Sequence, residues 1–135
     1  MADAALLPNY NDLMGSEVLS FDPASETITM RFVAPQCFIT GRGGVQGGLV
    51  AGFLDEVMGR AHVEATKGAE APLNLEIAMT LMKLIPEGPL LAKGRVIRRG
   101  RRAIFLEGEL FDAAGTTLYA RATSTAIPTP VPRAV

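Results

Sequence analysis

The sequence predicts an α+β fold in which an antiparallel sheet of about six strands is wrapped around one long central helix. Three observations lead to this prediction. Several segments alternate apolar and polar residues with the period of two that is typical of a half-buried strand. Only one segment has the three- and four-residue spacing of apolar positions that makes a long amphipathic helix. Small residues on one side of the strands would let that helix approach the sheet closely.

The N-terminal part of the chain is expected to form a short helical turn, at residues 8–14, and then two strands. The strands are predicted at residues 15–21 and 26–33, with the turn sequence Asp-Pro-Ala-Ser between them. The second strand carries apolar residues at alternate positions, which predicts one buried face: Ile28, Met30 and Phe32.

A glycine-rich loop at residues 40–48 leads into the long helix, which is predicted at residues 49–67. Leu49, Phe53 and Val57 lie at helical spacing and form an apolar stripe. Gly68 follows directly and fits a C-terminal cap, because glycine readily adopts the left-handed conformation found there.

Four further strands are predicted after the helix, at residues 73–84, 90–98, 103–112 and 116–127. The sequence Asp-Ala-Ala-Gly, which starts at Asp112, predicts a hairpin between the last two. We therefore expect a single domain over residues 1–135, with its core at 8–127. Residues 128–135 are expected to form an extended proline-rich tail that cannot add a normal central strand.

Small residues are concentrated on one face of the later strands, and charged residues on the other. The small residues are Ala92, Gly94, Gly108, Ala120 and Ala122. The charged residues of the opposite face are Lys93, Arg95, Glu107, Glu109 and Arg121. This pattern places the long helix against the face with the small residues.

The composition is that of an ordinary soluble globular domain. The chain has 135 residues, of which 48% are hydrophobic and 20% charged. Its formal net charge is -1, with a sequence pI of about 5.8, so no overall field recruits nucleic acid or an anionic membrane. We expect neither as a partner.

Cysteine and histidine each occur once, as Cys37 and His62. An internal disulfide is therefore impossible, and a structural zinc site is not expected. The N-terminus lacks the pattern of a signal peptide, and no stretch approaches the roughly 20 apolar residues that span a membrane. A cytoplasmic location is expected.

The start of the helix is the first candidate site. Backbone N–H groups in a first helical turn have no internal partners, and the helix dipole adds partial positive charge there. Gly47 and Gly48 carry no β-carbon, so a ligand carbonyl could approach their amides and be stabilised as an oxyanion. Alternatively, these glycines only permit a tight turn into the helix, and spacing alone does not decide between the two.

The second candidate is Asp55, in the middle of the helix. It shares a face with small residues and a histidine: Gly48, Gly52, Gly59 and His62. The space beside them is expected to hold a substrate or another subunit. The alternative is a solvated carboxylate paired with Arg60 or Lys67. Glu56 lies about 100° further round the helix, and His62 is more often a surface or core residue in such a place.

Helix geometry constrains how Gly47 and Asp55 work together. Eight residues separate them, or about 12 Å along a helix. A base or nucleophile must lie within about 3.5 Å of its target. If both are catalytic, they must come from different chains, which predicts a dimer or larger assembly.

The third candidate is the turn that contains Arg98, Arg99, Gly100, Arg101 and Arg102, called the arginine turn below. Guanidinium groups stay charged and bind phosphate bidentately, so a nucleotide phosphate such as that of coenzyme A is the expected ligand. The alternative is a solvated basic turn. RNA fits less well, because no aromatic series accompanies the arginines.

Several of these segments together resemble one known family. They are the stretch Gln-Gly-Gly-Leu-Val-Ala-Gly-Phe-Leu-Asp at 46–55, Asn-Leu-Glu-Ile at 74–77, the arginine turn and the hairpin at Asp112. Over about residues 8–127 they resemble the phenylacetic-acid-degradation-type (PaaI-like) hotdog thioesterases. The helix signature of that family is His-Gly-Gly followed seven residues later by Asp.

The resemblance implies a hotdog fold, dimers usually paired into homotetramers, and metal-free hydrolysis of acyl-CoA thioesters. Coenzyme A is then part of the substrate and no separate cofactor is needed. Gly47 matches the glycine whose amide polarises the thioester carbonyl. Asp55 matches the carboxylate that attacks the carbonyl or activates water, from the neighbouring subunit. Asn74 falls near a serine or threonine position that orients this water, and the arginine turn matches a segment that touches CoA phosphates in some members.

Two positions differ from the family pattern. Gln46 stands where the family has histidine, and Thr40 where it has asparagine. Glutamine can still donate a hydrogen bond near the thioester, but it does not titrate near neutral pH. Threonine supplies a hydroxyl in place of an amide.

The sequence thus favours an acyl-CoA thioesterase, with Asp55, Gly47, Gln46 and Asn74 as catalytic residues and the arginine turn as the CoA site. A non-catalytic acyl-CoA binding or sensing protein on the same scaffold is the alternative. A hotdog hydratase ranks last, because it usually needs an Asp–His pair. The acyl group is not specified, but its candidate contacts are Phe38, Phe53 and Met79.

Overall fold

The structure is a computed structural model that describes residues 9–132. Its helices are α1 (Tyr10–Met14) and α2 (Gly47–Ala65), with a 3₁₀ turn at Gln36–Phe38. The strands of this part of the chain are β1 (Glu17–Asp22), β2 (Thr27–Ala34), β3 (Glu70–Leu81), β4 (Gly88–Arg99), β5 (Ile104–Asp112) and β6 (Leu118–Pro130).

The strands form one antiparallel sheet in the order β1-β2-β4-β5-β6-β3, and α2 packs against one face of it. This confirms the predicted architecture. The chain crosses from β2 through α2 to β3 at the opposite edge of the sheet, and α2 packs against strands β2, β4, β5, β6 and β3. No helix within residues 9–132 has the length and apolar character that crossing a membrane requires.

The predicted small residues do lie beneath the helix. A β-carbon added to Gly94 would overlap the backbone carbonyl of Val57, and one added to Gly108 would lie 2.9 Å from Met58 Cγ. Ala92 and Ala120 are fully buried in the same layer. On the outer face, Arg95 and Glu107 form an ion pair across β4 and β5 at 2.6 Å. The close approach of α2 to the sheet therefore depends on glycine at these positions.

Two strands run past one of their predicted ends, although β3 also stops three residues before its predicted end, at Leu81. β3 starts at Glu70, before Pro72, and β6 runs on to Pro130, into the predicted tail. Pro72 is paired with Pro128. Proline lacks an N–H, which is tolerated in an edge strand such as β3. The edge position of β3 follows from the topology, and local sequence does not reveal it.

A β-bulge in β3 determines which of its side chains face the helix. The register with β6 shifts between Asn74 and Glu76, so Leu75 is an extra residue. Before the bulge, Pro72 and Asn74 are the half-buried residues of the alternating pattern, whereas after it they are Ile77 and Met79. The bulge thus allows Asn74 and the apolar residues that follow it to share the inner face.

Candidate active site

The first turn of α2 is positioned by Gln46. This residue is the N-cap of the helix, and its Oε1 accepts a hydrogen bond from the Leu49 amide at 3.0 Å. Its own backbone N–H donates to the Phe38 carbonyl at 2.9 Å, which ties the helix start to the segment after β2. The side-chain oxygen of Gln46 is therefore engaged in capping, and its amide nitrogen remains as the donor.

Gly47 begins the helix without a structural need for glycine. It does not have a positive φ, and a β-carbon placed on it would have no atom within 4 Å. Among the described residues, the amides of Gly47 and Gly48 donate to no acceptor. The predicted alternative, that glycine is needed here for a tight turn, is thus not supported at Gly47. Two N–H groups at the positive end of α2 therefore have no hydrogen-bond partner in the described part of the chain.

Thr40 lies at the base of the loop that precedes this helix start. Its amide donates to the Gly44 carbonyl at 2.8 Å, and its hydroxyl accepts from the Arg42 amide at 3.3 Å. Gly43 has a φ of 95°, which the closed loop requires. Thr40 therefore supports the shape of the loop.

Asp55 is held by a neighbouring amide instead of a cation. The Asn74 side chain donates from Nδ2 to Asp55 Oδ1 at 2.5 Å. Arg60 lies 3.9 Å from Glu56 and 3.5 Å from Glu64, and the described residues place no cation within 4.0 Å of Asp55. The predicted alternative, an ion pair with Arg60 or Lys67, is therefore absent from this structure. A carboxylate with a single amide donor retains acceptor sites for a proton.

A cavity of about 380 Å³ opens beside Asp55, between α1 and α2. Its walls are largely apolar and consist of Tyr10, Leu13, Met14, Phe38, Leu49 and Gly52, together with Asp55 and Glu56. Phe38, one of the three residues expected to contact an acyl group, lines this cavity. Phe53 is fully buried and packs on the rings of Phe32 and Phe38, and Met79 lies outside the cavity lining.

Glu56 contributes a second carboxyl group to the cavity. Burial raises its pKa, and the neighbouring Asp55 adds to this effect, whereas Tyr10 and Arg60 oppose it. In turn, the charge of Glu56 raises the pKa of Tyr10. Glu56 and Tyr10 therefore form a polar pair at the side of an apolar cavity.

His62 belongs to the core near the other end of α2. It is fully buried, and its Nε2 lies 3.2 Å from Glu70 Oε1. Burial lowers the pKa of His62, against the opposing effect of Glu70, and thereby favours the neutral imidazole. Within residues 9–132, no three histidine, cysteine or carboxylate side chains come together where they could hold a metal ion.

The arginine turn contains one arginine that is already paired. Arg99 makes two hydrogen bonds to the Glu26 carboxylate, at 2.8 and 2.6 Å, and these raise the pKa of Arg99. The exposed Arg98, Arg101 and Arg102 line a cavity of about 620 Å³ and have no carboxylate partner among the described residues. Arg99 is therefore committed to the fold, and the other three are free to bind an anion.

The structure thus brings some of the predicted residues together and keeps others apart. Asp55 and Asn74 are in direct contact. Gly47 and Gln46 lie at the N-terminal end of the same continuous helix, about 12 Å from Asp55 along its axis. The arginine turn contributes Arg99, whose charge, together with that of Glu26, acts on the pKa of His62 near the other end of α2.

One residue of this site, Ser124, is not identifiable from the sequence alone. The Ser124 hydroxyl on β6 donates to Asn74 Oδ1 at 2.6 Å, on the opposite side of the amide from Asp55. Fifty residues separate Ser124 from Asn74, so only the strand pairing reveals the contact. The sequence does contain one indication of this residue. Ser124 is the one serine in an alternating series that otherwise consists of alanines: Ala120, Ala122 and Ala126.

Comparison with known proteins supports the fold and the resemblance. A phenylacetic acid degradation-related protein of Ralstonia eutropha JMP134 superimposes with a TM-score of 0.81 and 25% identity, over 90% of each chain. Zebrafish thioesterase superfamily member 2 superimposes with a TM-score of 0.77 and 22% identity, over 91% of this chain and 88% of that one. The fold is therefore the hotdog fold, and the resemblance to PaaI-like hotdog thioesterases is confirmed.

A third solved structure with this fold holds a ligand. It is a Streptococcus mutans UA159 protein bound to acetyl CoA, with a TM-score of 0.74 and 18% identity, over 87% of this chain and 91% of that one. No protein-family model matches the chain, and no curated protein matches its sequence.

Proposed function

We propose that the protein hydrolyses acyl-CoA thioesters to a free acid and coenzyme A, with Asp55 as the general base. The observation that carries this proposal is the Asp55 carboxylate itself. It is held by Asn74, has no cationic partner in the described residues, and borders an apolar cavity. An apolar cavity with a few convergent polar groups is typical of a small-molecule site. The fold shared with zebrafish thioesterase superfamily member 2 is consistent with this activity.

In the proposed reaction, Asp55 takes a proton from water while the water oxygen bonds to the thioester carbonyl carbon. The carbonyl oxygen gains negative charge, which the Gly47 amide of the partner subunit stabilises. The intermediate then collapses, the carbon–sulfur bond breaks, and the thiolate of coenzyme A accepts the proton that Asp55 carries. One water is consumed, and Asp55 regains its starting state. The second N–H of Asn74 is available to orient the water.

The proposal requires two chains, because Gly47 and Asp55 of one chain are about 12 Å apart on α2. Strand β3 supports a second copy at this edge of the sheet. It is a 12-residue edge strand whose Leu73 and Leu75 side chains are 55% and 64% exposed. Long apolar edges are normally covered in native proteins. We propose a homodimer as the minimal active unit, with pairing into a homotetramer as the expected extension.

The three unpaired arginines are proposed to hold the phosphates of coenzyme A. Arg99, which lies in the same turn as the three unpaired arginines, is close enough to His62 for its charge to act on the pKa of that histidine. His62 is seven residues, or about 10 Å, along α2 from Asp55. The same protomer would therefore supply both Asp55 and the arginines, while its partner supplies Gly47. The acyl group would then occupy the cavity between α1 and α2.

Thiol release from a panel of acyl-CoAs tests the proposal. Asp55→Asn keeps an oxygen that accepts from Asn74 but removes the base, so kcat should fall about 100- to 10,000-fold. Glu64→Gln is the matched control, since it neutralises an acidic residue of the same helix whose one ion-pair partner within residues 9–132 is Arg60. Circular dichroism should show the same fold for both variants. Hydrolysis at the wild-type rate by Asp55→Asn would refute the assignment.

The capping role of Gln46 favours a second candidate, a non-catalytic acyl-CoA binder. The side-chain oxygen of Gln46 is occupied by the Leu49 amide, and glutamine does not titrate near neutral pH. Calorimetric titration with a non-hydrolysable acyl-CoA analogue, run beside the thiol assay, separates the two functions. Saturable binding without thiol release from any acyl-CoA would identify a binder.

A further inference from the structure

We infer that Ser124 is a positioning residue, whose hydroxyl fixes the orientation of the Asn74 amide and thereby the donor that Asn74 presents to Asp55. This inference rests on the proposed role of Asp55. It assigns to Ser124 an effect on Asp55 that is exerted through Asn74. Three side chains from β6, β3 and α2 form one hydrogen-bonded series, at 2.6 Å from Ser124 to Asn74 and 2.5 Å from Asn74 to Asp55.

The chemistry of the three groups allows only one direction for this series. An ionised carboxylate only accepts hydrogen bonds, so the nitrogen of the Asn74 amide must face Asp55. The amide oxygen then faces Ser124, and this oxygen only accepts. The Ser124 hydroxyl must therefore donate. If the Asn74 amide were reversed, its oxygen would face the Asp55 carboxylate. Two acceptors would then face each other, with no donor between them.

Packing does not account for serine at position 124. The other inward-facing residues at this end of β6 are Ala120, Ala122 and Ala126, and all are buried. Serine is alanine with a hydroxyl group, and Ser124 is only 3% exposed. Burying a hydroxyl costs free energy unless it is hydrogen-bonded, and Asn74 is its side-chain partner. The role of the hydroxyl is therefore its contact with Asn74.

The β-bulge makes this contact possible. Ser124 is opposite Ile77 in the ladder, and Asn74 is opposite Ala126. The extra residue Leu75 moves Asn74 into the diagonal position from which its oxygen meets the Ser124 hydroxyl. With its other end on Asp55, the Asn74 side chain is held from both sides.

Ser124→Ala removes the donor, and Thr123→Ala is the matched control. Thr123 is the adjacent residue of β6, and it is exposed on the outer face. In Ser124→Ala the amide is held by Asp55 alone and is less precisely positioned, so kcat for acyl-CoA should fall about 10- to 100-fold, as expected for a misplaced catalytic group. KM should change by less than about twofold, because the acyl and CoA contacts remain. Thr123→Ala should behave as wild type.

A double-mutant cycle separates positioning from a general structural effect. If Ser124 acts through Asn74, then Ser124→Ala should cause no further loss of kcat in an Asn74→Ala background. An equal loss of kcat in both backgrounds would overturn the inference. Thermal denaturation of each variant identifies any that are unfolded.

A spectroscopic measurement tests the same contact without any assay of activity. The side-chain amide protons of Asn74 can be identified in a ¹H–¹⁵N spectrum by their absence from Asn74→Ala. Ser124→Ala should shift these resonances, and Thr123→Ala should leave them in place. Unshifted resonances in Ser124→Ala would refute the inference even in an active enzyme. A shift in a protein that hydrolyses no acyl-CoA would instead contradict only the proposed function.

Discussion

Two groups of glycines differ in what explains them. On the sheet, Gly94 and Gly108 face α2, and a β-carbon at either position would collide with Val57 or Met58. On the helix, Gly47 and Gly52 would place a β-carbon where no atom of residues 9–132 lies within 4 Å. The packing of these residues therefore accounts for the sheet glycines and leaves Gly47 and Gly52 unexplained.

The helix glycines also have a cost. Glycine in a helix interior destabilises the helix by roughly 1 kcal/mol relative to alanine, and Gly52 lies well inside α2. Gly52 lines the cavity beside Asp55, and Gly47 exposes the unpaired amides. A helix that is less stable but leaves open space beside it is expected where a substrate or a second chain must approach. Gly94 and Gly108 are therefore required by the packing of α2 on the sheet, whereas Gly47 and Gly52 border the candidate site.

The largest predicted effect concerns the sheet glycines. Gly94→Ala places a methyl group against the Val57 carbonyl, and backbone cannot move aside as a flexible side chain can. We expect the free energy of unfolding to fall by about 3 kcal/mol or more. Chemical denaturation measures this loss. Gly41→Ala is the control, since it has open space and no positive φ, and it should change stability by less than about 0.5 kcal/mol. Equal effects at both positions would invalidate the distinction.

The helix glycines should show the opposite behaviour. Gly52→Ala is expected to raise the free energy of unfolding by about 1 kcal/mol, because alanine favours the helix and nothing opposes its methyl group. Gly52→Leu should fill part of the cavity of about 380 Å³ and raise KM for bulky acyl-CoAs more than for acetyl-CoA. Denaturation and thiol-release assays of the two variants test this. A loss of stability in Gly52→Ala would mean that Gly52 serves packing after all.

The inward-facing position of the sheet glycines could be predicted from the sequence, because it depends on the local alternation of inward- and outward-facing residues along a strand. Inward-facing positions of a strand recur every second residue, so Ala92, Gly94 and Gly108 could be assigned to one face before the structure. The helix was recognisable for the same reason. The sequence predicts its start two residues late, at Leu49 instead of Gly47, because glycine has low helix propensity.

The contacts of the site were less predictable, because they depend on which strands are neighbours. Asp55 could be chosen from the small residues on its helix face, but its partner could not be derived in this way. The contact between Asn74 and Ser124 requires that β3 pair with β6 and that a bulge shift the register. Both are consequences of tertiary structure. The alternation of alanines in β6 shows that Ser124 is unusual, but it does not show which group the hydroxyl meets.

The arginines of the arginine turn differ in the same way, since one is paired within the fold and others are open to a ligand. Arg99 is bound by Glu26, whereas Arg101 is exposed and has no carboxylate partner in the described residues. Arg99→Ala should lower the free energy of unfolding by up to about 1 kcal/mol, as for a partly exposed ion pair. It should leave KM for acyl-CoA nearly unchanged. Arg101→Ala should raise KM about five- to tenfold, or about 1 kcal/mol, through the loss of one charge-assisted phosphate contact, and leave stability unchanged.

An acyl-pantetheine substrate, which lacks the nucleotide of coenzyme A, sharpens this last test. Because Arg101 is proposed to contact only the nucleotide phosphates, Arg101→Ala should not change KM for this truncated substrate. Added salt should raise the wild-type KM for acyl-CoA more than the KM for acyl-pantetheine, since exposed charges are screened. If Arg101→Ala raised KM equally for both substrates, the arginine turn would be acting on the pocket and not on the phosphates. If neither KM changed, the turn would be a solvated basic segment, and coenzyme A would be held elsewhere.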